Sequence, residues 1–311
     1  MNVVIISTKE EYNKQSLNRL EKYSHVEWIN DERIELSKLD RLSNENDKIV
    51  ALSPVPFDWK IPAEFYKSLN SVKYICLVTT SYGFLDLDFC KSEGVKVTNV
   101  PYYSTNAVAE YAIYMMISLF KRFPIQLKND FKYEFTDETL MNELTSKSVG
   151  VIGLGHIGKR IIKLADGLGM KTYYWSRRKK KVNEKYLSLK SLLQKCDVVF
   201  PTVIESKETH NLLDKKMLEN LKSNSYFVSI VSDEIWDKEY LLKRVGKSKL
   251  GGLAFESAEI KMADVKGNVF ITAPLAWYTD RSLENNINDW TETIISCIKG
   301  KPRNLVTLGS K

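Results

Sequence analysis

Histidine and cysteine are scarce in this sequence of 311 residues, which restricts the metal and redox chemistry it supports. The three histidines are His25, His156 and His210. No two of them have the spacing of a zinc site, so no metal centre is predicted. The four cysteines are Cys76, Cys90, Cys196 and Cys297. Because they form no Cys-x-x-Cys pair, reduced and partly buried thiols are favoured over a disulfide framework.

Long hydrophobic runs are absent as well. The longest uncharged apolar-rich run, residues 111–120, is about half of the roughly 20 residues that cross a bilayer. The N-terminus, MNVVIISTKEEY, lacks a basic region and reaches charged residues before an apolar stretch long enough for a signal peptide. We therefore expect a cytoplasmic protein with no membrane partner.

The composition is that of a folded chain, with 43% hydrophobic and 27% charged residues, and the length corresponds to about two domains. The net charge of +7 comes from dispersed lysines and one dense basic run at 177–181. No recognised nucleic-acid-binding module accompanies this charge. A solvated lysine-rich surface is therefore favoured over a nucleic-acid interface.

Short β-branched runs alternate with helical patterns, which is typical of an α/β fold with parallel sheets covered on both faces. In the first hundred residues, strands are predicted at 3–7, 48–53, 74–79 and 95–100, and helices at 12–23 and 61–69. Residues 105–123 then predict a helix that is apolar on nearly every face and buried between domains or subunits.

The alternation restarts at residue 147 and continues to the end of the chain. Strands are predicted at 148–152, 171–175, 197–200, 226–230, 252–255 and 269–272. Helices are predicted at 156–167, 189–195, 215–221 and 238–245, followed by an amphipathic helix at 282–299. Together the two halves predict two α/β units.

The segment SVGVIGLGHIG at 148–158 carries the strongest functional signal. It contains Gly153, Gly155 and Gly158 in G-x-G-x-x-G spacing, directly after an apolar strand and at the start of a helix. In such a motif the first glycine permits a tight turn, the second lets a pyrophosphate approach, and the third allows close packing of the helix on the strand. The free N–H groups of the helix then face the phosphates. The segment predicts a dinucleotide site, which also includes His156 and Ile157.

The next predicted strand ends at Ser176, where an NAD-specific site has an acidic residue for the ribose 2′-hydroxyl. Here Arg177, Arg178 and three lysines follow instead. A 2′-phosphate would meet a hydroxyl donor and two guanidinium groups, so NADP(H) is the preferred cofactor. The alternative is that the basic run is a solvated turn and that the site binds NAD or does not discriminate.

At this point the chain resembles the D-isomer-specific 2-hydroxyacid dehydrogenase family, in several separate segments in the right order. They are VTNVP at 97–101, STNAVAE at 104–110, the glycine-rich loop, DVV at 197–199 with ETHNLL at 208–213, AWYT at 276–279 and GKPRN at 300–304.

This resemblance implies two doubly wound parallel-sheet domains. A flavodoxin-like substrate domain would comprise residues 1–100 and 280–311, and a Rossmann cofactor domain, residues 101–279, would be inserted into it. The turn of Ser81, Tyr82 and Gly83 would bind the substrate carboxylate. The resemblance also implies a homodimer formed through the cofactor domains and the helix at 105–123. It places five further residues at the cofactor: Thr202, Val203, Ile230, Val231 and Ala254.

The family reduces 2-oxo acids with an arginine, a histidine and a glutamate, and the resemblance aligns two of these positions with other residues. Ser232 stands at the arginine position and Pro274, or Leu275 with one deletion, at the histidine position. Glu259 stands at the position of the orienting glutamate. No histidine occurs after His210, so no other imidazole near this part of the sequence replaces the missing acid.

Other side chains are candidate substitutes. A lysine with its pKa lowered by burial donates protons, and Lys261 is one such candidate. The phenols of Tyr82 and Tyr278 are two others. Asp233 and Glu234 occupy positions where the family has glycines, but they also fit the start of a helix.

Three functions remain open at this stage. The first is hydride transfer between NADP(H), or less readily NAD(H), and a small 2-oxo or 2-hydroxy acid with a substituted catalytic set. The second is a catalytically degenerate dinucleotide-binding sensor or interaction protein. The third, a scaffold without cofactor, is disfavoured by the intact glycine-rich loop.

Overall fold

The computed structural model describes residues 1–8, 12–42 and 47–306. The chain divides into two compact units. The split unit comprises Met1–Ser104 and Asp280–Lys311, and the central unit comprises Thr105–Thr279. The binding of substrate by the first and of cofactor by the second remain predictions.

The split unit contains a five-stranded, fully parallel sheet with the order β2-β1-β3-β4-β5. Its strands are β1 (Asn2–Ile6), β2 (Val26–Ile29), β3 (Lys48–Leu52), β4 (Val72–Leu77) and β5 (Lys96–Thr98), and its first helices are α1 (Lys14–Glu21), α2 (Ala63–Lys67) and α3 (Leu87–Ser92). This strand order is that of flavodoxin-like folds, as expected. Successive residues of β1 pack into different cores, Val4 on one face and Ile5 on the other.

The central unit contains a seven-stranded parallel sheet with the order β12-β11-β10-β9-β6-β7-β8. Its strands are β6 (Ser148–Ile152), β7 (Lys171–Trp175), β8 (Lys185–Tyr186), β9 (Val198–Pro201), β10 (Tyr226–Ser229), β11 (Gly252–Glu256) and β12 (Val269–Thr272). Its helices are α4 (Thr105–Phe120), α5 (Phe123–Lys128), α6 (His156–Gly167), α7 (Leu189–Lys195), α8 (Lys215–Leu218) and α9 (Lys238–Gly246). Renumbered from β6, this is the doubly wound Rossmann order with one added edge strand. The predicted fold class is confirmed.

The burial of helix α4 accounts for the apolar residues on nearly every one of its faces. Nine of its 16 residues are buried, and seven of these nine share one core with α6 and the central strands. The helix ends at Phe120, before the predicted end, because Arg122 adopts a φ of 53° and α5 begins after it. Tyr114 remains exposed on α4.

The last helix, α10 (Asp280–Ile298), returns to the split unit. Trp290 on α10 is fully buried and donates its indole N–H to the Cys76 carbonyl at 2.8 Å. The Asn286 amide donates to the Val78 carbonyl at 2.7 Å. All four cysteines are free and buried, in agreement with the expectation of reduced thiols. Over the part of the chain that the structure describes, no helix is long and apolar enough to cross a membrane.

Four short elements escaped prediction: β2, β8, α3 and α5. Three of the four residues of β2 are only half-buried, so this edge strand lacks the continuous apolar run of an interior strand. Strand β8 has two residues, too few for any periodicity.

Candidate dinucleotide-binding site

The glycine-rich loop joins β6 to α6 at the carboxyl edge of the central sheet, where sheets of this kind bind ligands. Gly153 has a φ of 105°, which side-chain-bearing residues rarely adopt, and a Cβ there would lie 2.7 Å from Val203 Cγ1. A Cβ at Gly158 would lie 2.2 Å from the Gly153 carbonyl oxygen. Both positions therefore require glycine for packing.

Gly155 differs from these two because it faces open space. No atom lies within 4 Å of the position that a Cβ would take. Gly155 is also the N-cap of α6, and no side chain caps this helix. N–H groups in the first turn of a helix have no acceptor inside the helix, and together with the helix dipole they attract phosphate. The exposed His156 and half-buried Ile157 continue this turn. The backbone here fits the pyrophosphate of a dinucleotide.

Thr202, the residue directly after β9, forms hydrogen bonds with the glycine-rich loop and with the end of β6. Its hydroxyl donates to the Gly153 carbonyl at 2.5 Å, and its backbone N–H donates to the Ile152 carbonyl at 2.8 Å. Val203 is half-buried, and its Cγ1 occupies the space that a Cβ on Gly153 would need. These two residues stabilise the loop conformation.

The basic turn, residues 176–181, folds back on the glycine-rich loop. Ser176 is buried and donates its hydroxyl to the Arg178 carbonyl at 2.7 Å, so its proton is used within the turn. The Lys180 ammonium donates to the Leu154 carbonyl, in the middle of the glycine-rich loop. The Lys180 backbone N–H donates to the Tyr174 hydroxyl at 3.0 Å. A positive charge thus stands beside the expected phosphate site.

The two arginines of the basic turn differ in their partners. Arg177 forms an ion pair with Glu208, and both side chains are more than half exposed. Arg178 is exposed and forms no ion pair with any described residue. Arg178 is the guanidinium that is free to meet a phosphate, whereas Arg177 must first leave Glu208.

The segment after β10 carries the residue aligned with the family's arginine. Ser232 is exposed and caps a short 3₁₀ turn, Asp233–Ile235, by accepting the Glu234 N–H at 3.3 Å. A hydrogen bond from the Lys238 ammonium, 2.5 Å away, lowers the pKa of Asp233. These acidic residues therefore begin a turn, as their alternative interpretation predicted. The preceding residues of the expected cofactor set, Ile230 and Val231, are half-buried.

The middle and the last residue of β11, Ala254 and Glu256, have different environments. Ala254 is fully buried in the core, so its methyl group offers no surface to a cofactor. Glu256 is half-buried and accepts the Ala276 N–H at 2.9 Å. Burial raises the pKa of Glu256, although hydrogen bonds from the backbone N–H groups of Ala276 and Leu275 act in the opposite direction.

The expected catalytic substitutes differ in their environments. Glu259 and Lys261 are exposed on the loop after β11, so the burial that a proton-donating lysine requires is not found. Tyr278 is 58% exposed and its ring packs edge-on against Trp277, with 5.3 Å between centroids. Tyr82 is half-buried against a core of the split unit.

Two features of this edge were missed by the sequence analysis. Glu256 lies 20 residues before its backbone partner Ala276, and no local pattern connects them. Glu205, His210 and Glu234 are exposed, and their ligand atoms lie within 4.8 Å of one another. The histidine spacing alone gave no signal for this cluster, because two of its members are glutamates from separate loops.

Comparison with known proteins agrees with this geometry. Residues 113–273 match the family model described as D-isomer specific 2-hydroxyacid dehydrogenase, NAD binding domain. An aromatic 2-oxoacid reductase of Clostridium sporogenes is 27% identical over 240 residues, which cover 70% of this chain and 72% of that protein.

Solved structures share the fold over almost the whole chain. An acyclic imino acid reductase in complex with NADPH and D-Arg superposes with a TM-score of 0.83 at 22% identity, covering 99% of this chain and all of that one. The NAD⁺ complex of D-lactate dehydrogenase from Lactobacillus jensenii gives a TM-score of 0.82 at 21% identity, with the same coverage. The family match spans more than half of the chain and includes the glycine-rich loop at its expected place. The chain therefore belongs to the D-isomer specific 2-hydroxyacid dehydrogenase family.

Proposed function

We propose that this chain is an NADP(H)-dependent oxidoreductase that interconverts small 2-oxo and 2-hydroxy acids. The observation that carries the proposal is the open face of Gly155 at an uncapped helix N-terminus, between two glycines that packing requires. A bound nicotinamide dinucleotide supplies or accepts a hydride. The backbone N–H groups of the glycine-rich loop and the first turn of α6 bind the phosphates of the dinucleotide. Gly155 has no side chain that would block the pyrophosphate.

The preference for NADP(H) rests on charge near the adenosine end of the expected site. Strand β7 is followed by Ser176 rather than a carboxylate, so the residue at this position does not repel a 2′-phosphate. Arg178 is exposed, and Lys180 already contacts the glycine-rich loop. The similar structures include one NADPH complex and one NAD⁺ complex, so the shared fold does not choose between the cofactors. The proposed preference for NADP(H) therefore depends on the basic turn.

Membership of this family and the names of similar proteins support the proposed substrate class. Proteins similar to this chain are described as an aromatic 2-oxoacid reductase, a D-lactate dehydrogenase and a hydroxypyruvate reductase. All three descriptions name a 2-oxo or 2-hydroxy acid. Reduction of such an acid also needs a proton for the new hydroxyl group, which a side chain of the protein must supply or relay.

A second candidate function is dinucleotide binding without turnover, as a sensor or interaction protein. It is favoured by the exposed Ser232 cap and by Pro274, since neither side chain carries a charge or a titratable proton where the family has arginine and histidine. The open glycine-rich loop is compatible with both functions.

We further propose that the protein forms a homodimer through the central unit. Six large apolar side chains between residues 127 and 141 are exposed: Leu127, Phe131, Tyr133, Phe135, Leu140 and Met141. Tyr133 and Phe135 are 90% and 88% exposed, far more than large aromatic residues of a monomer usually are. Sedimentation of the wild-type protein is expected to give a mass of twice 35.9 kDa. Replacing Tyr133 and Phe135 by serine is expected to halve this mass. An unchanged mass would contradict this interface.

The function is tested by steady-state oxidation of NADPH and NADH by the purified protein with glyoxylate, hydroxypyruvate, pyruvate and aromatic 2-oxo acids. Fluorescence of the reduced cofactor is recorded before substrate is added. We expect fluorescence enhancement that is stronger for NADPH, and turnover with at least one acid. Enhancement without turnover supports the second candidate, and no enhancement with either cofactor contradicts both.

A further inference from the structure

Glu256 is the last residue of β11, at the same edge of the central sheet as the glycine-rich loop, because all strands of this sheet are parallel. It pairs in register with Thr272, the last residue of β12. Residues paired in this way direct their side chains to the same face of a sheet. A carboxyl and a hydroxyl group therefore stand side by side at the ligand-binding edge.

Two observations distinguish this pair from ordinary surface residues. The Glu256 carboxyl accepts the Ala276 N–H at 2.9 Å, which restricts its position. The Thr272 hydroxyl is buried and has no hydrogen-bond partner among the described residues. An unpaired buried hydroxyl destabilises the fold unless another group satisfies it, which indicates a place where a polar ligand atom is accommodated.

The protonation of Glu256 suits a donor. Its burial disfavours the carboxylate more strongly than the two N–H groups favour it, so its pKa lies above the ordinary value. Two of the other candidate donors, Lys261 and Tyr278, are exposed. Ala276, whose N–H Glu256 accepts, lies two residues after Pro274, where the family resemblance places the missing histidine. Strand β11 thus supplies a titratable carboxyl group close to the segment from which the family's histidine is missing.

We propose that Glu256 is the proton donor that replaces the family's histidine. This inference rests on the proposed 2-oxo acid reductase function. In the step, the carbonyl carbon gains a hydride from the reduced nicotinamide, and the electron pair of the C=O π bond moves to oxygen. The carboxyl proton of Glu256 moves to that oxygen. Glu256 is left as a carboxylate and regains its proton from water, so the net reaction consumes one hydride and one proton.

The test uses Glu256→Gln in the full-length protein. Glutamine keeps an oxygen that accepts the Ala276 N–H but has no proton to give in the working pH range. We expect kcat to fall about 10²–10⁴-fold, the usual contribution of a general acid, with unchanged affinity for the reduced cofactor. The matched control is Asp264→Asn, which removes an exposed carboxylate from the same β11–β12 connection and is expected to leave kcat unchanged. Wild-type kcat is expected to fall as pH rises through the Glu256 pKa, and this dependence disappears in Glu256→Gln.

A second measurement does not depend on turnover. A raised pKa in the folded state makes the contribution of Glu256 to stability complete below its unfolded pKa and lost as pH rises through the folded pKa. The stability of the wild type relative to Glu256→Gln must therefore decrease with rising pH. Normal kcat in Glu256→Gln, or a pH-independent stability difference, overturns this inference and leaves the reductase function intact. Absence of wild-type turnover with every acid overturns both.

Discussion

Gly155 is the residue whose replacement separates cofactor binding from folding. In Gly155→Ala the added methyl group projects into space that holds no atom within 4 Å, and the backbone φ of −85° is accessible to alanine. Replacing glycine by alanine at a compatible position stabilises a protein by about 0.4–1 kcal/mol, because the unfolded chain loses conformational freedom. For a unit of this size the melting temperature therefore rises by at most about 4 °C.

The same methyl group stands where the pyrophosphate must approach. If it displaces the phosphates from two N–H groups of the first α6 turn, the loss is about 1.5–3 kcal/mol for each charge-assisted bond. Loss of both corresponds to roughly a 10²–10⁴-fold rise in Kd. Fluorescence titration with NADPH and NADH measures this rise, and differential scanning fluorimetry measures the melting temperature. The substitution is expected to weaken both cofactors equally.

Gly158→Ala is the contrasting variant. Its methyl group would lie 2.2 Å from the Gly153 carbonyl oxygen, a distance at which the helix or the loop must shift. Such overpacking costs about 1–3 kcal/mol, which lowers the melting temperature by about 2–12 °C. Wild-type cofactor affinity in Gly155→Ala would refute the reasoning, as would a larger loss of stability in Gly155→Ala than in Gly158→Ala.

Two further predictions concern charged residues at the carboxyl ends and at the amino ends of the strands of the central sheet. Combined replacement of Arg177 and Arg178 by alanine is expected to raise the Kd of NADPH by about tenfold or more, through the loss of at least one charge-assisted bond to the 2′-phosphate, and to change that of NADH little; equal losses in fluorescence titrations would contradict NADP(H) preference. Asp197 accepts hydrogen bonds from the Ser148 N–H at 2.8 Å, the Ser148 hydroxyl at 2.7 Å and the Lys222 ammonium at 2.6 Å. Burial opposes ionisation of Asp197, but these bonds outweigh it and lower the pKa. Asp197→Asn is therefore expected to lower the free energy of unfolding in urea by about 1–3 kcal/mol at pH 7. The wild-type advantage should be present above the unfolded pKa and vanish as pH falls through the folded pKa, so a difference that stays constant with pH would contradict the assignment.

The sequence predicted best where structure depends on neighbouring residues. Strand β6 and helix α6 occupy the predicted residues 148–152 and 156–167, because a β-branched run and a glycine turn are both local signals. Helix α4 was predicted to continue to residue 123, yet the left-handed backbone conformation of Arg122 ends it earlier. Arginine has no preference for this conformation, so the sequence did not indicate the end of the helix.

For the candidate site, sequence reasoning identified which residue types are present but not which of them are in contact. Ser176 was expected to donate to a phosphate, whereas its hydroxyl donates to the Arg178 carbonyl. Lys261 was considered as a buried donor and is exposed, because the loop after β11 runs at the surface. Glu256 was not considered, since its environment depends on the register between β11 and β12 and on a turn 20 residues away.

The sequence by itself determined the parallel α/β architecture, the glycine-rich loop and the absence of an acidic residue after β7. These properties follow from periodicity, side-chain size and charge within a few residues of one another. Only the tertiary structure decided that Arg177 pairs with Glu208, that Lys180 contacts the glycine-rich loop and that Glu256 holds the turn beside Pro274. Each of these contacts joins segments that are separate in the chain, and their positions are set by how strands and loops assemble at one edge of the sheet.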